Sequence, residues 1–119
     1  MASLAQMLDD LGIKVTGSDV KEDFVTKAVL QQRNIAVLPD FLPNHITSDI
    51  DLVVYTGAHN GVNNFEVQRA IALGIPTMPH AQALGELMKG KRAISVCGTG
   101  GKSTTSAMIA WILDQAGLC

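Results

Sequence analysis

Apolar positions along the chain alternate between two spacings. Leu4, Met7, Leu8 and Leu11 fall three or four apart, the period of one helical face, and predict a helix over residues 2–11 stopped by Gly12. Ile13-Lys14-Val15-Thr16 then reads as a short strand closed by Gly17-Ser18-Asp19. Val25, Ala28 and Val29 predict the buried face of a second helix over about 23–33, ended by Asn34. Residues 35–38 resume the strand pattern, and 39–48, with two prolines, read as a loop. Residues 51–56 are continuous and β-branched, as expected of a strand covered on both faces. A polar, glycine-bearing loop, 57–63, follows at its carboxyl end. Residues 64–73 are helical with Gly74 as cap, 75–78 form a strand shortened by Pro76, and 80–88 form another helix. Gly90-Lys91-Arg92 is the expected linker. Beyond it, Ala93-Ile94-Ser95-Val96-Cys97 predicts a buried strand, and 106–113 a helix that ends at Gly117.

Strand and helix alternate throughout, so the expected class is α/β with a Rossmann-like, mainly parallel sheet. Ligands of such sheets bind beyond the carboxyl ends of the strands. That places Gly17-Ser18-Asp19, Thr56-Gly57-Ala58-His59 and the loop after Cys97 at the candidate binding edges. Doubly wound units open with a strand and a glycine turn, whereas this sequence opens on a helix. The expectation is a sheet lacking its first strand, with two neighbouring strands left unpaired along one edge.

The densest chemistry lies between Gly98 and Thr104. Three glycines within four positions, Gly98, Gly100 and Gly101, lead into Lys102, Ser103 and Thr104. A strand, a glycine loop and a helix start in that order form a phosphate cradle. Glycines let backbone N–H groups point inward, and the helix dipole favours an anion at its start. Lys102 is placed to reach the β- and γ-phosphates of a nucleotide, and Ser103 or Thr104 to hold Mg²⁺. A standard loop of this kind has glycine five residues before the Gly-Lys pair, where this sequence has Val96. The alternative is a glycine-rich turn whose lysine is merely solvated.

Composition narrows the class. Of 119 residues, 47% are apolar and 17% charged, enough for a core in one domain or one domain and the start of another. Net charge is −2, with no basic run, so neither nucleic acid nor an anionic membrane is an expected partner. No apolar stretch approaches the roughly 20 residues of a membrane span, and the first residues lack a signal-peptide pattern. Cys97 and Cys119 have no metal-ligand spacing and read as reduced thiols of a cytoplasmic protein.

With loop and edges in hand, the sequence resembles the Mur ligases, the ATP-dependent amide-forming enzymes of peptidoglycan synthesis, and among them the alanine-adding members. The family loop, Gly-Thr-X-Gly-Lys-Thr/Ser-Thr, is matched by Gly98-Thr99-Gly100-Gly101-Lys102-Ser103-Thr104. Gly100 departs from the histidine usual there. Val15-Thr16-Gly17-Ser18-Asp19 resembles the second-strand signature, Asn64-Phe65-Glu66 the family's Asn-Pro-Glu, and 83–88 its Ala-Glu-Leu-Met helix. Tyr55-Thr56-Gly57-Ala58 stands at its Ser-Ser-Ala turn, and Met1-Ala2-Ser3 falls on the Gly-Met-Ser that closes the family's first glycine loop. The resemblance implies that 1–90 are most of a UDP-sugar-binding domain and 91–119 the opening of an ATPase domain. It implies ATP, Mg²⁺, UDP-N-acetylmuramate and L-alanine as ligands of a parent enzyme that works through an acyl phosphate. The 119 residues alone are expected to be inactive. The ligase that recycles murein tripeptide, and a nucleotide-sugar-binding module without catalysis, are the alternatives.

Other residues carry two readings each. Ser18 and Asp19 lie at a strand end, where Asp19 either meets a ribose or uracil or caps the next turn. Thr56, Gly57, Ala58 and His59 are candidates at a binding edge, where His59 and Asn60 either meet the sugar or diphosphate or form a solvated loop. Asn64 and Glu66 are candidates for substrate contact, with a helix N-cap the favoured role for Asn64. His80 either stands near substrate or simply starts a helix. His45 is expected at the surface. Trp111, Met7, Met78, Met88 and Met108 are expected in the core.

Overall fold

The computed structural model describes residues 1–22 and 25–118. Its order is α1 (Ala2–Asp10), β1 (Thr16–Ser18), α2 (Val25–Gln32), β2 (Ala36–Leu38), β3 (Val53–Tyr55), α3 (Phe65–Ala72), β4 (Thr77–Pro79), α4 (His80–Met88) and α5 (Lys102–Gln115). Short 3-10 turns occupy Pro43–His45 and Gly61–Asn63. The chain divides into two compact units, Met1–Leu87 and Met88–Cys119.

In the first unit the expected α/β alternation forms two parallel pairs. β1 pairs with β2, with Thr16 opposite Ala36 and Ser18 opposite Leu38. β3 pairs with β4, with Val53 opposite Thr77 and Tyr55 opposite Pro79. Among the described residues the two pairs are not hydrogen-bonded to each other.

The core centres on α3. Ala70 has no exposed surface, and with it lie Ile46 and Ile75, flanked by Ile50 and Val53. Gly74, at φ 73°, turns the chain so that the Ile75 N–H reaches back to Ala70 O at 2.9 Å. A left-handed residue is what glycine supplies without strain, and here it seats Ile75 in the core. Leu4, Ile35, Val67 and Ala83 are buried as well. Arg33 joins the ends of two helices, with Nη1 2.5 Å from Asp10 and 3.3 Å from Asp9. Those hydrogen bonds, Asp10 first, push its pKa further up.

Several expectations are corrected. The first strand is Thr16–Ser18 rather than 13–16, because the Ile13 N–H closes the end of α1 on Leu8 O at 3.0 Å. Gly17 and Ser18 therefore belong to the strand rather than to the turn after it. Val25, Ala28 and Val29 are exposed, Val25 at 90%. α2 contacts α1 and β2; within it Leu30 is half-buried, and Ile35, beyond its end, is buried. The expected start of that helix at Asp23 lies outside the described residues, as does Cys119. β3 is half-buried along its length rather than covered on both faces.

In the second unit the expected strand 93–97 has no regular secondary structure and, among the described residues, no ladder partners. A strand needs a neighbour to bond, and among the described residues none lies beside it. The same lack leaves Met108 and Trp111 exposed, at 60% and 66%. Met7 is exposed too, and Met78 and Met88 are half-buried, so none of these side chains is core.

Candidate functional site

Two regions carry the candidate residues, one in each unit. In the second unit the glycine loop runs into the first turn of α5, with Gly101 as N-cap and Lys102 as the first helical residue. Gly98 and Gly101 have φ of 149° and 74°, backbone that an L side chain resists. The first turn of a helix has N–H groups without intrahelical acceptors. Here those of Lys102, Ser103 and Thr104 open onto an exposed loop, and the first α-helical bond is Thr105 N to Gly101 O at 2.9 Å. The Lys102 ammonium folds back on the loop, donating to Gly98 O at 2.8 Å and standing 3.5 Å from Thr99 O. A cation, free N–H groups and the positive end of a helix dipole thus converge on one spot, which an anion would complement.

The three glycines are not equivalent. A Cβ on Gly100 would meet nothing within 4 Å, and its backbone lies outside the left-handed region. If the loop holds ATP, as the resemblance implies, Gly100→His is expected to keep ATP affinity within about threefold, under 1 kcal/mol, as read by titration of the full-length protein. A much larger loss would show that the loop is aligned wrongly with the family pattern.

In the first unit the residues beyond the strand ends gather as the topology requires. Asp19 follows β1, its N–H on Leu38 O at 2.9 Å and its own Oδ1 accepting from Val20 N–H at 2.8 Å. The loop after β3 brings His59 Nε2 to 4.0 Å from Asp19 Oδ1. The His59 ring also lies against Phe41, with centroids 5.0 Å apart. His59 and Asn60 both take left-handed backbone, at φ 52° and 71°, uncommon for non-glycine residues and concentrated at functional loops. Thr56 Oγ1 accepts from Ala58 N–H at 3.1 Å and shapes the same loop around Gly57. His80 begins α4, half-buried.

Asn64 is the N-cap of α3. Its Oδ1 accepts from Glu66 N–H at 2.9 Å, and its Nδ2 donates to His59 O at 3.1 Å. Glu66 is buried, at 9% exposed. Its Oε1 receives Ser18 Oγ–H at 2.7 Å and lies 2.7 Å from His45 Nδ1. His45, expected at the surface, has a side chain only 18% exposed. It escaped the sequence reading because it lies in a proline-rich loop without periodicity. One signal was available: Glu66 shares a helical stripe with Ala70, and a carboxylate on an apolar stripe requires a partner.

A sequence profile described as "Mur ligase family, catalytic domain" matches residues 1–92. The chain belongs to the Mur ligase family. Over 119 residues it is 46% identical to the UDP-N-acetylmuramate–L-alanine ligase of Clostridium kluyveri, covering 99% of this chain and 26% of that protein. The enzyme of the same name from Carboxydothermus hydrogenoformans is 41% identical over 117 residues, 98% of this chain and 25% of its own. Among solved structures, the UDP-N-acetylmuramate–alanine ligase of Thermotoga maritima superposes with a TM-score of 0.87 at 29% identity, over 96% of this chain and 26% of that one. A murein peptide ligase from Psychrobacter arcticus superposes with a TM-score of 0.83 at 33% identity, over 98% of this chain and 24% of that one. The Mur ligase chain described here therefore spans about a quarter of the length of these relatives. Among its described residues no helix is long and apolar enough to cross a membrane.

Proposed function

We propose that the chain is the sugar-nucleotide-binding part, with the opening of the ATPase domain, of a ligase that joins L-alanine to UDP-N-acetylmuramate. The observation that carries the reading is the loop–helix junction at 98–104, in a chain aligned over its whole length with L-alanine ligases. Residues 1–90 then hold the sugar nucleotide along the edge formed by Ser18, Asp19, Thr56, Gly57, Ala58, His59 and His80. Residues 91–119 hold ATP on Gly98, Thr99, Gly100, Gly101, Lys102, Ser103 and Thr104.

The junction suits a nucleotide phosphate. Gly98 and Gly101 adopt backbone that keeps side chains out of the cradle, and Lys102 needs only to exchange two carbonyl acceptors for phosphate oxygens. The exposed hydroxyls of Ser103 and Thr104 are the chain's contribution to Mg²⁺, an ion that keeps water and phosphate oxygens as its other ligands. Bound ATP supplies the phosphoryl group that activates the muramoyl carboxylate. The residues here orient the phosphates and offset charge that builds on the transferring group. The rest of the catalytic apparatus lies outside these 119 residues, so they alone should be inactive. A cytoplasmic location accords with these substrates.

A second reading, a murein peptide ligase, is favoured by the Psychrobacter arcticus structure, which aligns at slightly higher identity than the Thermotoga maritima enzyme. The deciding experiment follows ADP release by the full-length protein. Release that requires UDP-N-acetylmuramate and L-alanine supports the first reading. Release with a murein tripeptide in place of L-alanine supports the second. A protein that binds the sugar nucleotide but never consumes ATP would instead be a binding module.

A further inference from the structure

Glu66 stands where a substrate contact was expected, yet its carboxylate is turned to the protein. It is the second residue of α3, beyond the Asn64 cap, where the helix dipole favours an anion. One oxygen, Oε1, takes both the Ser18 hydroxyl and the His45 ring nitrogen at 2.7 Å. A carboxylate oxygen offers no proton, so the His45 imidazole carries its hydrogen on Nδ1. Three separated parts of the chain are tied by this atom: the end of β1, the Pro43–His45 turn and the start of α3. Charge-assisted bonds of this kind are the stronger ones, and burial shields them from water.

Ser18 directly precedes Asp19, and Asn64, which caps the helix carrying Glu66, holds His59 O. The two sides of the candidate edge, Asp19 and the His59 loop, are thereby referred to one buried point. We propose that Glu66 and His45 are positioning residues, which set Ser18–Asp19 against the loop after β3 without touching ligand themselves. The inference rests on the reading of this edge as the sugar-nucleotide site.

The test separates the two. His45→Ala removes the donor, and His45→Asn returns an amide N–H near the Nδ1 position. In the ¹⁵N-labelled full-length protein, the His45 imidazole spectrum should show the Nδ1–H tautomer. His45→Ala should displace the Ser18 and Asp19 amide resonances while the rest of the spectrum stays dispersed. In the full-length protein, His45→Ala should weaken UDP-N-acetylmuramate binding by about tenfold, the scale of one lost hydrogen bond to a charged group, and leave ATP affinity unchanged. His45→Asn should recover most of the loss. Unmoved Ser18 and Asp19 resonances, an Nε2–H tautomer, or an Asn variant as impaired as Ala would overturn the proposal. Displaced Ser18 and Asp19 resonances in a protein with no affinity for the sugar nucleotide would support positioning and overturn the site reading alone.

Discussion

Lys102→Ala in the full-length protein is expected to lower turnover by about two to three orders of magnitude, with UDP-N-acetylmuramate affinity within about twofold of wild type. Among the described residues the Lys102 ammonium is anchored to the loop that carries it, on Gly98 O and Thr99 O, so its removal should leave the fold of the first unit untouched. On the phosphate-loop reading, charge on a transferring phosphoryl group would in contrast lose one of the cations that offset it. Gly101→Val should act in the same direction by another route. Gly101 sits at φ 74° with open space around it, so the damage comes from backbone strain rather than a clash. A β-branched residue there costs on the order of 1–2 kcal/mol and shifts the first N–H groups of α5. Steady-state kinetics and sugar-nucleotide calorimetry on both variants check this. Turnover within a few-fold of wild type for Lys102→Ala would sink the phosphate-loop reading.

The second large effect concerns the gap between the two strand pairs. Extending the chain before Met1 by roughly 15–20 residues, one strand and its glycine turn, should raise stability by several kcal/mol and strengthen sugar-nucleotide binding. β1 and β3 each pair on one side only among the described residues. A parallel strand between them would gain about 0.5–1.5 kcal/mol net per hydrogen bond, against a whole-domain stability of about 5–15 kcal/mol. Urea unfolding followed by far-ultraviolet circular dichroism measures the gain. Equal midpoints for the extended and unextended chains would show that the two edges do not receive that strand.

Local signals were legible where the chain supplies its own partners. α4 spans the residues that its pattern indicates, 80–88, and α3 starts at the asparagine cap expected of Asn64. Gly74 stops α3 because a left-handed residue is needed there. Two of the misses share a cause. Among the described residues, 93–97 have strand composition but no neighbour to bond, and Trp111 has helical spacing but stays exposed. Periodicity reports what a segment is suited to, whereas burial depends on what else is present. The site was half legible for a related reason. The glycine loop announces itself within seven consecutive residues, but the Ser18–Glu66–His45 contact joins positions 48 and 21 residues apart, and no local window contains it.

The division at Met88 also gives each unit its own chromophore. The chain has one tyrosine and one tryptophan. Tyr55 lies in β3, half-buried in the first unit, and Trp111 lies exposed on α5 in the second. Selective excitation of the indole therefore reads α5 alone, and the phenol band reads the strand pair beside α3. If the units melt separately, the two signals will change at different urea concentrations, the signature of an unfolding that is not two-state. Coincidence of the two curves, in a longer form of the protein, would mark the point at which the units have become one cooperative body.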